Sequence, residues 1–355
     1  MKTRTLLLVL ALAITGCTHI GPQTVTRDRF DYNTAISDSW KEQTLLNIVK
    51  IRYADMPLFV EVASIVSGYT LESSVNLNGF VSSSDAIQRD SLSFGSSGKF
   101  TDRPTITYKP ITGSQFNKNF MTPIPPRALL FLMQTGWPAD LIFPLTVDSI
   151  NGLRSQVLAG ANQRRGDESY YRVVELLRQI QQSGAIGMRI KKEENGQDAT
   201  VLFFHRENIS PETAADMKEV GALLGLEPGL REININYGLL SENKAELAFL
   251  TRSMLHIMIE LATRIDVPPE HVEEGRTVPS RPMSASAANT KLMSIHHSKE
   301  KPDYAFTAVR YRDYWYWVDD RDFKSKRTFA FLMILFSLTE TGGKEGLPLV
   351  TIPAG

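Results

Sequence analysis

The side chains with the reach to do chemistry are few and scattered. Six histidines, His19, His205, His256, His271, His296 and His297, form no HExxH pair. His296 and His297 are adjacent, so on a strand they face opposite sides and cannot share a metal ion. Structural or solvated histidines are therefore expected, with no metal and no cofactor. Ser241-Glu242-Asn243-Lys244 has the bare SxxK spacing of some serine hydrolases, but this serine stands where a helical pattern opens and is explained as its cap. GxSxG and GxGxxG are absent, and Gly342-Gly343-Lys344 lacks the upstream glycines and strand of a phosphate loop. Asp319, Asp320 and Asp322 stand before an apolar run, where a helix dipole favours acids. The densest constellation is aromatic: Tyr311, Tyr314, Trp315, Tyr316 and Trp317. Rings exposed together stack on sugars or anchor a protein partner. On a strand, Tyr314 and Tyr316 would point one way and Trp315 and Trp317 the other. Core or subunit packing is the expectation, and a binding patch is the alternative.

Composition narrows the classes further. The 355 residues hold 39 Lys plus Arg against 39 Asp plus Glu, a formal charge of zero. No basic field exists to hold nucleic acid. The length allows one large domain or two ordinary ones. A single cysteine, Cys17, excludes internal disulfides, so stability must come from burial.

That cysteine ends the stretch LLLVLALAITGC, which follows the basic start Met1-Lys2-Thr3-Arg4-Thr5. The order of parts is that of a secretory signal, and the apolar run is too short to span a bilayer. Ile14-Thr15-Gly16-Cys17 resembles the lipobox of bacterial lipoproteins. The resemblance implies cleavage of residues 1–16, acylation of Cys17 and a lipidated tether over 17–30. Mature lipoproteins carry several acyl chains, because a single chain anchors only marginally. In Gram-negative members an aspartate after the cysteine favours inner-membrane retention. Here Thr18 and His19 follow, which in such a host implies an outer-membrane lipoprotein facing the periplasm.

Hydrophobic periodicity sets out the elements. A helix is expected from Ser37 or Asp38 to Ala54, with Leu45, Ile48 and Val49 on its apolar stripe. Residues 58–108 then alternate as two long amphipathic strands, with a phase change at Gly68 and a polar connection over 82–90. Tyr69, Leu71, Val75 and Leu77 share one parity in the first strand, and Leu92, Phe94 and Phe100 share one in the second. Thr70, Glu72, Ser74 and Asn76 take the opposite side of the first strand, and Ser93 and Lys99 that of the second. One reading is a soluble antiparallel pair with one face on the core. The other is a membrane-crossing hairpin completed by further subunits, since ~9–11 alternating residues suffice for a transmembrane strand. Ser73, Ser96 and Asp102 interrupt the apolar face and weigh toward the soluble reading.

Further along, the periodicity predicts a helix at 127–134, a strand at 141–149 closed by Asn151-Gly152, and a helix at 168–183. Strands at 185–192 and 199–205 follow around Asn195-Gly196, then a helix opened by Ser210-Pro211 and a strand at 233–237. This order matches a ferredoxin-like βαββαβ unit. A long helix over 241–264, strands at 291–297, 304–310 and 314–318, a buried helix containing 328–338 and a last strand at 347–352 complete the reading. The expected class is α+β with mixed sheets. A helix-and-hairpin region spans 31–110 and an α+β domain spans 111–355, with a sub-boundary near 266–290. The expected function is a non-catalytic, lipid-anchored scaffold or partner-binding component, with protein partners or a homo-oligomer. An oligomeric outer-membrane channel and an envelope hydrolase or glycan binder are the alternatives.

Overall fold

Helix α1 (Ile20–Arg52) is longer than its apolar stripe requires. Pro22 sits in the first turn, where its missing N–H is not needed, so the polar stretch expected as tether is helical from Ile20. Only the C-terminal part packs: Leu45, Ile48 and Val49 are fully buried, while Val25 and Phe30 are exposed. The computed structural model describes residues 20–66, 68–80, 91–159, 163–192, 198–204, 209–280 and 292–339. Cys17, His19, His205, the Asn195-Gly196 turn, Gly342-Gly343-Lys344 and the strand expected at 347–352 lie outside them.

The contacts divide the described chain into two units, one of them the hairpin Leu58–Ile111. In it, β1 (Val60–Val66) pairs antiparallel with β4 (Thr105–Pro110), and β2 (Tyr69–Phe80) pairs antiparallel with β3 (Ser91–Asp102). A register shift falls between Val62 and Ser64, and the β1–β2 break lies at the expected glycine, where Arg103 N–H donates to Gly68 O at 2.9 Å. Helix α1 belongs to the other unit, although the sequence grouped it with the hairpin. Its buried stripe explains why.

That larger unit contains a six-stranded and a three-stranded sheet. A helical turn (Gly113–Phe116) and a π turn (Asn117–Met121) lead into α2 (Pro126–Gln134) and α3 (Ala139–Thr146). Then come β5 (Val147–Ile150), β6 (Leu153–Arg154), α4 (Glu168–Gln182), β7 (Ile186–Lys192) and β8 (Asp198–Phe204). After α5 (Pro211–Leu223), β9 (Glu232–Tyr237) and β10 (Glu246–Thr251) complete the first sheet, in the order β6-β5-β10-β9-β8-β7. Only β9 and β10 run parallel. The second sheet, β11-β13-β12, is built from β11 (His296–Ser298), β12 (Ala305–Tyr311) and β13 (Tyr314–Asp319). Helices α6 (Met254–Ala262), α7 (Pro269–Glu273) and α8 (Phe323–Thr339) complete the unit, and α1 packs against β12 and α6. The class is α+β with mixed sheets.

Three expected elements come out differently. The ferredoxin-like order is present along the chain but not in the sheet. Such a sandwich needs its first and third strands adjacent, whereas β9 and β10 stand between β5 and β8. The helix expected from Ser241 is strand β10 followed by α6. All of β10 except Leu250 is buried, and a strand covered on both sides shows no alternation to distinguish it from a helix. The strand expected over 141–149 is α3 running into β5, for the same reason: this stretch is buried throughout apart from Asp148.

Arg252 ties these misread segments together. Its guanidinium, 3% exposed, donates to Pro144 O at 2.8 Å and Ser155 Oγ at 2.6 Å, and lies 3.6 Å from Asp148. Nearby Glu260 accepts the backbone N–H groups of Leu158 and Ala159 at 3.1 and 3.3 Å. A buried arginine is tolerated only where acceptors surround it in this way. The helix start is Ser253, whose hydroxyl accepts His256 N–H at 3.3 Å. Ser253→Ala should therefore cost about 1 kcal/mol in urea unfolding. Ser241→Ala should stay within about 0.5 kcal/mol, and the reverse ranking would contradict this helix start.

Candidate functional site

The aromatic cluster is built on the second sheet, where β13 alternates as its pattern requires. Tyr314, Tyr316 and Val318 are buried, and Trp315, Trp317 and Asp319 are half-buried on the opposite side. Tyr311 and Tyr314 flank the hairpin turn Arg312-Asp313, both of whose residues have positive φ. The cluster has two faces of different character.

On the buried face, Tyr53 from the end of α1 meets Tyr316 and His271. The Tyr53 hydroxyl lies 2.6 Å from His271 Nδ1 and is hydrogen-bonded to the Tyr316 hydroxyl. A neutral His271 with its proton on Nε2 accepts from Tyr53, which in turn accepts from Tyr316. Burial pushes both phenols above their ordinary range and holds His271 below its own. The trio therefore stays neutral near pH 7 and acts as a lock. Around it, Tyr311 donates to Asp55 at 2.9 Å and Arg312 lies over the rings of Tyr53 and Tyr311. Tyr314 donates to Glu270, and Lys299 Nζ stands 4.0 Å from the centre of the Tyr314 ring.

On the half-exposed face the tryptophans already have companions. Lys301 Nζ is 5.3 Å from the Trp315 ring centre, while His296 and Tyr304 pack on Trp317 at 4.9 and 5.5 Å.

The other residues singled out from sequence are dispersed. Ser241 is in the turn before β10, and His256 lies on α6, 3.8 Å from Glu260. Asp319 is paired with Arg321 and Asp320 with Lys326, while Asp322 accepts the backbone N–H of Ser325 at the start of α8. Among the described residues no three His, Cys, Asp or Glu side chains converge as a metal site. A hollow of about 640 Å³ beside α5 is lined mainly by apolar residues, including Met217, Val220, Leu226 and Ile233, and none of the chosen residues borders it. Tyr53 was missed, although it extends the stripe of Leu45 and Val49 by one more turn.

The hairpin's register sorts its side chains by face. Thr70, Glu72, Ser74, Asn76 and Asn78 stand opposite Thr101, Lys99, Ser97, Gly95 and Ser93. Tyr69, Leu71, Val75, Leu77 and Gly79 stand opposite Asp102, Phe100, Ser96, Phe94 and Leu92. From Thr70 to Asn78 and from Ser93 to Thr101 one set of register partners is thus wholly polar or glycine. On the other side Tyr69 is half-buried, and Val75 is 67% and Phe100 52% exposed. The soluble reading expected this face on a core, and these two side chains have none.

No protein-family model, no curated protein and no solved structure matches the chain.

Tyr53→Phe removes the shared hydroxyl and leaves Tyr316 and His271 Nδ1 short of a buried partner. The expected loss is about 1–3 kcal/mol in urea unfolding, and a loss under ~0.5 would remove the lock. The pH dependence follows from His271. Its folded pKa lies below its unfolded one, so its stabilisation is fully present above the unfolded value of about 6.5 and is lost as the pH falls from there through the folded value. His271→Gln should flatten this limb of the Tm–pH curve in part, His256 being held low in the same way. Glu270 and Asp319, both near 2, weaken the fold only in stronger acid.

Proposed function

We propose that this chain is a lipid-anchored cell-envelope protein that acts without catalysis, as a scaffold or partner-binding component of an envelope assembly. The lipobox-like Ile14-Thr15-Gly16-Cys17 supports the anchor, and Thr18-His19 supports an outer-membrane address in a Gram-negative host. The observation that carries the partner-binding part is the hairpin Leu58–Ile111. It holds two two-stranded sheets, and along β2 and β3 its described side chains are mostly exposed. A two-stranded ribbon is marginally stable alone in water, and long unpaired edges invite another strand. Such an element is suited to being completed by a partner. The aromatic cluster favours the scaffold over the glycan binder, because its rings are occupied within the chain.

The anchor is tested with labelled palmitate and membrane fractionation. Wild type should incorporate label and sediment with the outer membrane, whereas Cys17→Ser should lose the label and accumulate as precursor or soluble protein. Label retained by Cys17→Ser would end the lipoprotein reading.

A further inference from the structure

From the register of the ribbon we infer that its partner is a second copy of this chain: β2 and β3 join edge to edge between copies and close a β-barrel whose polar face lines a pore. This rests on the envelope reading above and names the partner of the same element.

Three observations carry it. The first is length. Each strand has 12 residues, about 40 Å when extended at 3.3 Å per residue. Tilted by about 45°, it rises roughly 28 Å, close to the ~25 Å apolar band of membrane barrels. The second is the division of faces. Nothing but Thr, Ser, Asn, Gly, Glu and Lys occupies the polar face from Thr70 to Asn78 and from Ser93 to Thr101. On the other face Tyr69 and Phe100 stack with ring centres 5.9 Å apart near one end, where barrels place aromatic girdles. The interrupting groups fit as well: Asp102 is at the end of the ribbon, and Ser73 and Ser96 are small.

The third is charge, which decides how copies meet. Within one ribbon Glu72 on β2 is the register partner of Lys99 on β3, and both are exposed. Head-to-tail joining sets Lys99 of one copy beside Glu72 of the next, so opposite charges alternate round the lumen. Joining like edges would set Glu72 against Glu72 or Lys99 against Lys99, which cross-strand pairing disfavours. Head-to-tail contacts also close into rings. The smallest membrane barrels have eight strands, so at least about four copies are needed.

The test uses the full-length protein purified in detergent, with fatty-acid labelling followed on the same preparations. Native mass should give a discrete multimer of at least four chains. Glu72→Cys in one chain, co-expressed with Ser97→Cys, Lys99→Cys or Thr101→Cys in another, should yield cross-linked pairs absent from either chain alone. Glu72, Ser97 and Lys99 are exposed and Thr101 is half-buried, so the substitutions leave the buried core intact. In planar bilayers wild type should conduct. Glu72→Gln should shift the reversal potential toward anion selectivity, and Lys99→Gln should shift it the opposite way. A single-chain mass, equal cross-linking from Glu72→Cys alone, or multimers whose selectivity ignores both variants would overturn the barrel. Labelled, membrane-bound monomers would reject the barrel and keep the anchor, whereas unlabelled conducting multimers would do the reverse.

Discussion

Tyr53 places a hydroxyl where water cannot compete for it, and the two groups it meets come from residues 271 and 316. Neither partner is satisfied without it, so the end of α1, the α7 turn and β13 are set in place together. Neighbouring contacts act in the same direction. Arg52 donates to Val278 O at 2.6 Å, and Thr277 Oγ1 donates to Arg52 O at 2.9 Å. These bonds add direction to the packing of Leu45, Ile48 and Val49, since burial alone would allow the helix to slide or rotate. The larger unit follows from that alignment: with α1 docked, β12 and α6 each have a surface to cover.

The hairpin obeys a different rule. In the larger unit the alternation of β13 leads to an interior, with Tyr314, Tyr316 and Val318 buried. In β2 and β3 the pattern is as regular, yet at Val75 and Phe100 it leads to no interior. Alternation specifies which face a side chain takes; it does not specify what lies beyond that face. A protein core, a neighbouring copy and lipid all read the same way along a strand.

Much of the fold was legible because local signals and tertiary packing agreed. Ser210 caps α5 as its Ser-Pro pair predicts, with Thr213 N–H donating at 3.1 Å. Asn151-Gly152 turns with both residues at positive φ. The Tyr314–Val318 alternation is seen directly in its burial. The failures share one cause. In α3 and β10 nearly every side is buried, so the polar residues that mark a period are missing, and a helix and a strand become indistinguishable by pattern. The candidate site fared less well for another reason. Tyr311, Tyr314 and Tyr316 are conspicuous as a cluster, but their organising partners, Tyr53, His271 and Glu270, are remote in the chain, and no local spacing announces them.

The pairing of Tyr53 with Tyr316, and of Thr44 with Met333 at 3.5 Å, spans most of the chain. A helix formed early therefore has to wait. Closing so long a loop adds only slowly to the entropic cost, but it delays the moment of contact, and topologies dominated by distant pairings fold slowly. If the chain is delivered N-terminus first, Leu45, Ile48 and Val49 emerge with their eventual cover, β12 and β13, still some 250 residues behind. During that interval the stripe of α1 is an uncovered apolar surface, open to any holding factor that acts on the nascent protein.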